Sequence, residues 1–361
     1  MSRVPLDPGE VRRVLFVRLR RFGDTIVMAP AIRAFKAWAP HAWLGVVVQP
    51  GYDAFLRMLP EVGEIVIAGK GPRGAARALA AVRAFDADLA VDFHGNLRAA
   101  LLIRASGAAV RVGEERFHWP VYNVRAPHAE VLFGLKRRSH TVENQLALLA
   151  AIGVPTPAEP LALPVLPEAV RALAARLAAG GVPEGPRCVL FATTTLRGKQ
   201  WPIERWFTLA ARLAGAWDGA VLLPFAPGEE ALARAAAHIS GAPAARSAHV
   251  LAGLPLPELS ALAATAALVV TQDSVGAHLA AAHGVPAIVL FGATDPAEYH
   301  PWMAEHVVLR VDGLCCSPCG GRDCRSPYYP WACIDGLDED VVLETVLAWL
   351  GGERPGVERL P

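Results

Sequence analysis

Short apolar runs alternate with stretches of helical periodicity through most of the chain. Residues 14–17, 44–48, 64–67 and 89–91 read as strands, with helical stretches at 25–38 and 73–85 between them. The rhythm returns at 188–191, 220–223, 268–270 and 287–291, interleaved with helical patterns at 205–214, 229–237 and 276–283. Strand–helix alternation of this kind predicts parallel sheets covered by helices on both faces. It pauses between Val154 and Pro167, where Pro155, Pro157, Pro160, Pro164 and Pro167 favour an extended connector. The expected architecture is therefore two α/β domains facing a cleft. In open parallel sheets, ligands bind beyond the C-terminal ends of the strands, so the chemistry is sought in those loops.

Composition narrows the class. Apolar residues make up 53% and charged residues 19% of the 361, which is globular and sufficient for two cores. With 35 basic and 34 acidic residues, a general nucleic-acid coat is not expected. No run of about 18 uncharged apolar residues is present, as a membrane-spanning helix would need. The apolar run at 14–17 is too short for a signal-peptide core, so a soluble, cytoplasmic protein is expected. Cys188 stands alone, while Cys315, Cys316, Cys319, Cys324 and Cys333 crowd one loop. The Cys316–Cys319 spacing is compatible with a metal, but the later spacings match no zinc ribbon. Free thiols are the simpler reading, and no metal or cofactor is assigned.

Three loops carry candidate chemistry. The first is Arg18-Leu19-Arg20-Arg21-Phe22-Gly23-Asp24, after the first strand. Gly23 permits a tight turn, and Asp24 either caps the following helix or takes a proton from an incoming hydroxyl. The second runs from Thr193, Thr194 and Thr195 through Lys199 to a helix opening near Pro202. Hydroxyls, backbone N–H groups and one ammonium suit a diphosphate, though the spacing is not that of a nucleoside triphosphatase. The third presents Asp273, Ser274, Gly276 and His278 after one strand, and Thr294 and Asp295 after the next. Bare helix N-termini at that edge suit an anion or sugar hydroxyls. His278 by itself is more simply a packed histidine. The basic turn Lys136-Arg137-Arg138-Ser139-His140 is solvated by default, and with Arg98 and the first-loop arginines it would attract an anionic acceptor. A GxGxxG fingerprint is missing, which counts against an NAD-dependent oxidoreductase.

Taken in order, these pieces resemble the ADP-heptose:lipopolysaccharide heptosyltransferases, glycosyltransferase family 9. The matching positions are Arg18, Phe22-Gly23-Asp24, Asp92-Phe93-His94-Gly95, Thr194-Thr195 with Lys199, Trp201 and Pro202, Asp273-Ser274 with Gly276 and His278, Phe291-Gly292, Thr294-Asp295-Pro296 and the cysteine loop. The resemblance implies a GT-B fold of two Rossmann-like domains, residues 1–163 for the acceptor and 164–361 for the nucleotide-sugar donor. It implies inverting transfer of heptose from ADP-heptose to the inner core of lipopolysaccharide, a lipid-linked acceptor met at the inner face of the inner membrane. Asp24 falls at the position of the general base. Thr194, Thr195 and Lys199 fall where the donor diphosphate is held, Asp273, Ser274, Gly276 and His278 in the donor loop, and Glu229 or Glu230 where an acid meets the ribose. Arg20, Arg21 and Arg98 are the acceptor candidates. Two departures stand out: Val275 follows Asp273-Ser274 where a glycine is usual, and Arg20-Arg21 replace a small polar pair. An epimerase or a transferase using another nucleotide sugar is the alternative, and a non-catalytic sugar-binding protein a further one.

Overall fold

The computed structural model describes residues 6–117, 120–240 and 248–356. It divides into two compact units, Met1–Glu159 and Pro160–Pro361, with the boundary inside the proline-rich stretch.

The first unit holds β1 (Arg13–Val17), β2 (Trp43–Val48), β3 (Glu64–Ile67), β4 (Leu89–Asp92), β5 (Val110–Glu114) and β6 (Val124–Ala126). They form one parallel sheet in the order β3-β2-β1-β4-β5-β6. The second unit holds β7 (Arg187–Phe191), β8 (Ala220–Pro224), β9 (Ala248–Leu251), β10 (Leu268–Gln272), β11 (Ala287–Phe291) and β12 (His306–Arg310), ordered β12-β11-β10-β7-β8-β9. Counted from each unit's first strand, both orders are 3-2-1-4-5-6, the order of a doubly wound Rossmann sheet. The chain direction across the sheet reverses between β1 and β4, and again between β7 and β10. Bound anions and nucleotides favour such switch points.

The central strands are buried from their second residue onward, which is why their sequences are apolar without alternation. In the first unit, helices Gly71–Ala84 and Leu97–Ala105 pack on one face of the sheet, burying Ala78, Val82, Ala99 and Ile103 with Leu15, Val17 and Val47. In the second, helices Ile203–Ala216 and Glu339–Leu350 cover one face through Trp206, Phe207, Leu213, Val342 and Val346.

The expected helix at 25–38 is two helices, Phe22–Ile26 and Ala29–Trp38. Pro30 lacks an N–H to continue the first and sits in the first turn of the second, where that loss costs nothing. Strands β5, β6, β9 and β12, and helix Leu97–Ala105, were not marked by the apolar rhythm. Both β6 and β9 are short edge strands, with Arg125 or His249 where a buried strand carries an aliphatic residue.

Candidate functional site

In the first unit, β1 runs into an exposed turn. Arg21 has φ +76° and precedes helix Phe22–Ile26 without a side-chain cap bond. The left-handed residue of this turn is thus an arginine and not Gly23, which lies within the helix. Asp24 also lies within the helix and caps nothing; its Oδ2 pairs with Arg18 Nη2 at 2.8 Å. The capping reading of Asp24 fails because the helix starts three residues earlier than its polar spacing implied.

Arg18 does double duty. Its Nη1 donates to the Phe93 carbonyl just beyond β4, so one guanidinium bridges the two strand ends at the switch point. The loop after β4 is built by Asp92, which is buried. Its Oδ1 accepts from the His94 and Gly95 N–H groups at 2.7 and 2.8 Å, and its Oδ2 accepts from Tyr122 Oη at 2.6 Å. Burial raises the Asp92 carboxyl, and those three hydrogen bonds oppose it. Gly95 has φ +71°, and a Cβ there would lie 2.0 Å from the Phe117 ring, so this tight loop requires glycine. His94 is thereby presented toward Arg18, Arg20, Arg21 and Asp24. Burial and then the arginines lower its pKa to about 4, against an opposing pull from Asp24.

Arg20 and Arg21 are exposed, and their side chains form no hydrogen bond or ion pair among the described residues. Arg98 instead spends Nη2 on the Ala68 and Gly69 carbonyls, at 2.9 and 2.5 Å. The basic turn is only partly solvated. Arg137 makes a two-point bond to Glu143, and buried His140 caps helix Thr141–Ala150 in a capping box with that same glutamate.

In the second unit the loop after β7 turns back on itself around Gln200. Its Oε1 accepts from Thr194 N–H at 3.0 Å, while its Nε2 donates to the Ala192 and Trp201 carbonyls. Trp201 is buried, its N–H donating to Gln272 Oε1 at 2.9 Å and its ring set edge-on to Trp206. The hydroxyls of Thr194 and Thr195 make no hydrogen bond among the described residues, and Thr195 is exposed.

Lys199 closes a short 3-10 turn, Arg197–Lys199, and is nearly buried. Its Nζ lies 2.5 Å from Asp273 Oδ2, with side-chain exposures of 11% and 3%. The same oxygen accepts from Thr294 Oγ1 at 2.6 Å, and the Tyr299 ring lies 5.2 Å from the ammonium. The ends of β7, β10 and β11 therefore converge on one compensated charge pair. Taking two such charges out of water is costly, and removing either partner leaves the other uncompensated, a loss of about 3–5 kcal/mol.

Ser274 is the N-cap of helix Val275–Ala282 and makes no side-chain cap bond; its Oγ lies 3.0 Å from Thr271 Oγ1. The neighbouring helix Pro296–Tyr299 is not bare, since Asp295 caps it through Ala297 N–H at 3.0 Å. Gly276 is buried, and a Cβ there would lie 2.6 Å from the Phe191 ring, so it lets the helix approach β7. His278 is buried in the same helix, which ends against Gly284 at φ +65°. Glu229 Oε2 accepts from Ala226 N–H at 2.8 Å, and Glu230 from Gly228 N–H at 2.9 Å, both at the head of helix Glu230–Ser240.

The six cysteines are free thiols. Burial, then the neighbouring Cys319 and Cys324, push the Cys333 thiol up to about 11. Among the described residues no three His, Cys, Asp or Glu side chains are grouped to hold a metal.

Gln200, Gln272, Tyr122 and the bridging role of Arg18 were not singled out from the sequence. A polar glutamine ending the apolar run of β10 was the available sign for Gln272.

Residues 76–329 match the family model described as glycosyltransferase family 9 (heptosyltransferase). The matched span contains every candidate of the second unit, and Asp24 lies before it. Lipopolysaccharide heptosyltransferase 1 of Pseudomonas aeruginosa is 29% identical over 346 residues, covering 88% of each chain. The Escherichia coli ADP-heptose lps heptosyltransferase II structure superposes with a TM-score of 0.75 at 19% identity, covering 94% of this chain and 99% of that one. An E. coli heptosyltransferase solved with ADP-2-deoxy-2-fluoro heptose gives 0.65 at 21% identity, covering 93% and 99%. These likenesses fit the two-domain GT-B fold.

Proposed function

Since the chain belongs to glycosyltransferase family 9, the heptosyltransferases, we propose that it transfers heptose from ADP-heptose to the inner core of lipopolysaccharide with inversion at the anomeric carbon. The observation that carries the donor half is the buried Lys199–Asp273 pair beside the unpartnered Thr194 and Thr195 hydroxyls. A diphosphate arriving at the switch point draws Lys199 from Asp273 and accepts hydrogen bonds from both threonines and from N–H groups at the head of helix Val275–Ala282. Asp273, relieved of the lysine, accepts from sugar hydroxyls, with Ser274 and His278 beside it. Glu229, held by its own turn, meets the ribose.

The acceptor half falls to the first unit, residues 1–163, and the donor half to residues 164–361. Asp24 takes the proton of the acceptor hydroxyl as that oxygen bonds to the anomeric carbon. The bond from that carbon to the diphosphate breaks, and its electron pair leaves with ADP. Lys199 stabilises the developing charge without a metal. One displacement gives inversion. Arg20 and Arg21 meet anionic groups of the acceptor, and Arg98 holds the floor of that surface. No helix among the described residues is long and apolar enough to cross a membrane. The protein on this reading works from the cytoplasm, in peripheral contact with the inner face of the membrane that carries its acceptor, and has no nucleic-acid partner.

The test is transfer itself. The protein is incubated with ADP-heptose and lipopolysaccharide lacking heptose, following ADP release and acceptor mass, with uridine and guanosine sugars in parallel. Acceptor-dependent ADP release supports the reading. Turnover confined to the other nucleotide sugars contradicts the donor, and epimerisation of a nucleotide sugar without acceptor contradicts the reaction.

A further inference from the structure

Helices Gly71–Ala84 and Leu97–Ala105 lie side by side on one face of the first unit's sheet. No acid occurs between Glu64 and Asp86, or between Asp92 and Glu114, so this helical layer is free of carboxylates. Lys70, Arg73, Arg77, Arg83 and Arg104 are exposed, and none of them forms an ion pair among the described residues. Elsewhere in this unit arginines are commonly engaged: Arg18 by Asp24, Arg57 by Asp53, Arg116 by Glu114 and Arg137 by Glu143. On the same layer Leu97 is 56% and Leu101 54% exposed, and with Arg104 they follow the spacing of one helix face. Helix Gly71–Ala84 turns Arg73 and Arg77 outward while burying Ala78 and Val82.

We infer that this layer is the surface on which the protein lies against an anionic lipid bilayer. Two exposed leucines set among unpaired cations match an interface that is negatively charged at the headgroups and apolar below them. A face that merely needs solvation has no reason to exclude carboxylates or to expose leucine at successive turns. At 14 and 9 residues the helices are too short to cross a bilayer, so they lie on it. The acids nearest in sequence, Asp86 and Asp88, follow the C-terminal end of the first helix. There Asp88 accepts from the Arg12 and Arg13 N–H groups, at the end of the sheet opposite to Asp24. Lys70, Arg73 and Leu97 sit at the other end, where the loops after β3 and β4 are joined through Arg98. The surface thus adjoins the edge that carries Asp24. It gives a location to the membrane contact proposed above and rests on that reading, but its test uses neither donor nor acceptor, so either can fail alone.

The test is flotation of the full chain with vesicles of phosphatidylcholine alone, or with about a third phosphatidylglycerol. Binding to the anionic vesicles only, weakened by salt, is expected. The double variant Arg73→Glu/Arg77→Glu should lower the partition coefficient on the order of tenfold or more, and Leu101→Ser several-fold at any salt concentration. Arg171→Glu, exposed on helix Pro167–Ala179 of the second unit, should change nothing and serves as the matched control. Circular dichroism confirms folding of each variant. Absence of binding to anionic vesicles overturns the inference. So does binding that the Arg73/Arg77 reversal leaves intact, or that the Arg171 control loses equally.

Discussion

The two units repeat one strand order and set a cation against a carboxylate at the same topological place, yet the two pairs differ in character. In the first unit Arg18 spans the ends of β1 and β4 and holds Asp24 in a partly open loop, with Arg20 and Arg21 unpaired beside it. In the second, Lys199 from the loop after β7 reaches Asp273 at the end of β10 and is sealed there with Thr294. One fold thus makes an open pair, suited to exchanging a proton with an incoming hydroxyl, and a closed pair, suited to releasing a lysine to a diphosphate. The switch point supplies the location, and burial decides the chemistry.

The largest effect should come from the open pair. Asp24→Asn keeps the shape and the bond to Arg18 but removes the base, and turnover should fall about 10²–10⁴-fold with unchanged donor affinity in steady-state kinetics. Full turnover would remove the distinction between the two pairs. Next is the closed pair. Lys199→Met leaves Asp273 buried without its cation and should cost about 3–5 kcal/mol in denaturant unfolding. The double change Lys199→Met/Asp273→Asn should recover part of that, whereas an additive outcome would mean the pair is not coupled. Smaller still is Gly276→Ala, whose methyl meets the Phe191 ring. It should lower stability by about 1–3 kcal/mol, measured as a shift in the urea midpoint.

The smallest effect separates the units by pH. His94 and His283 both have pKa values lowered to about 4, His94 by burial and then by arginines, His283 by burial alone. Both are neutral in the fold and gain protons more readily when unfolded. Their contribution to stability is complete above about 6.5 and is lost as pH falls from there toward 4. In an NMR titration, added salt should raise the His94 pKa, because it screens the arginines, and leave His283 unmoved. Equal responses would place both histidines in the same kind of site.

Much of this was legible in the apolar pattern. The central strands β1, β2, β4, β7, β10 and β11 are buried on both faces and announce themselves as continuous apolar runs. The edge strands β6 and β9 are short and carry Arg125 or His249, so periodicity passes over them. The return of the strand–helix rhythm at residue 188 marked a second α/β unit, yet no residue repeat links the two units, because the topology constrains strand order and not residue identity. At the site, the loops were found but their pairings were not. Lys199 meets Asp273, and Tyr122 meets Asp92, across long separations that only the sheet order brings together. The capping alternative for Asp24 fails for a local reason. A glycine–acid pair before an apolar stretch has the spacing of a helix start, and the strained Arg21 starts this one earlier.

The division of labour between the two pairs is tested most directly by calorimetric titration of ADP into three forms of the protein: unmodified, Asp24→Asn and Lys199→Met. Unchanged affinity is expected for Asp24→Asn and a loss of about tenfold or more for Lys199→Met. ADP affinity lost on changing Asp24 and kept on changing Lys199 would contradict that division.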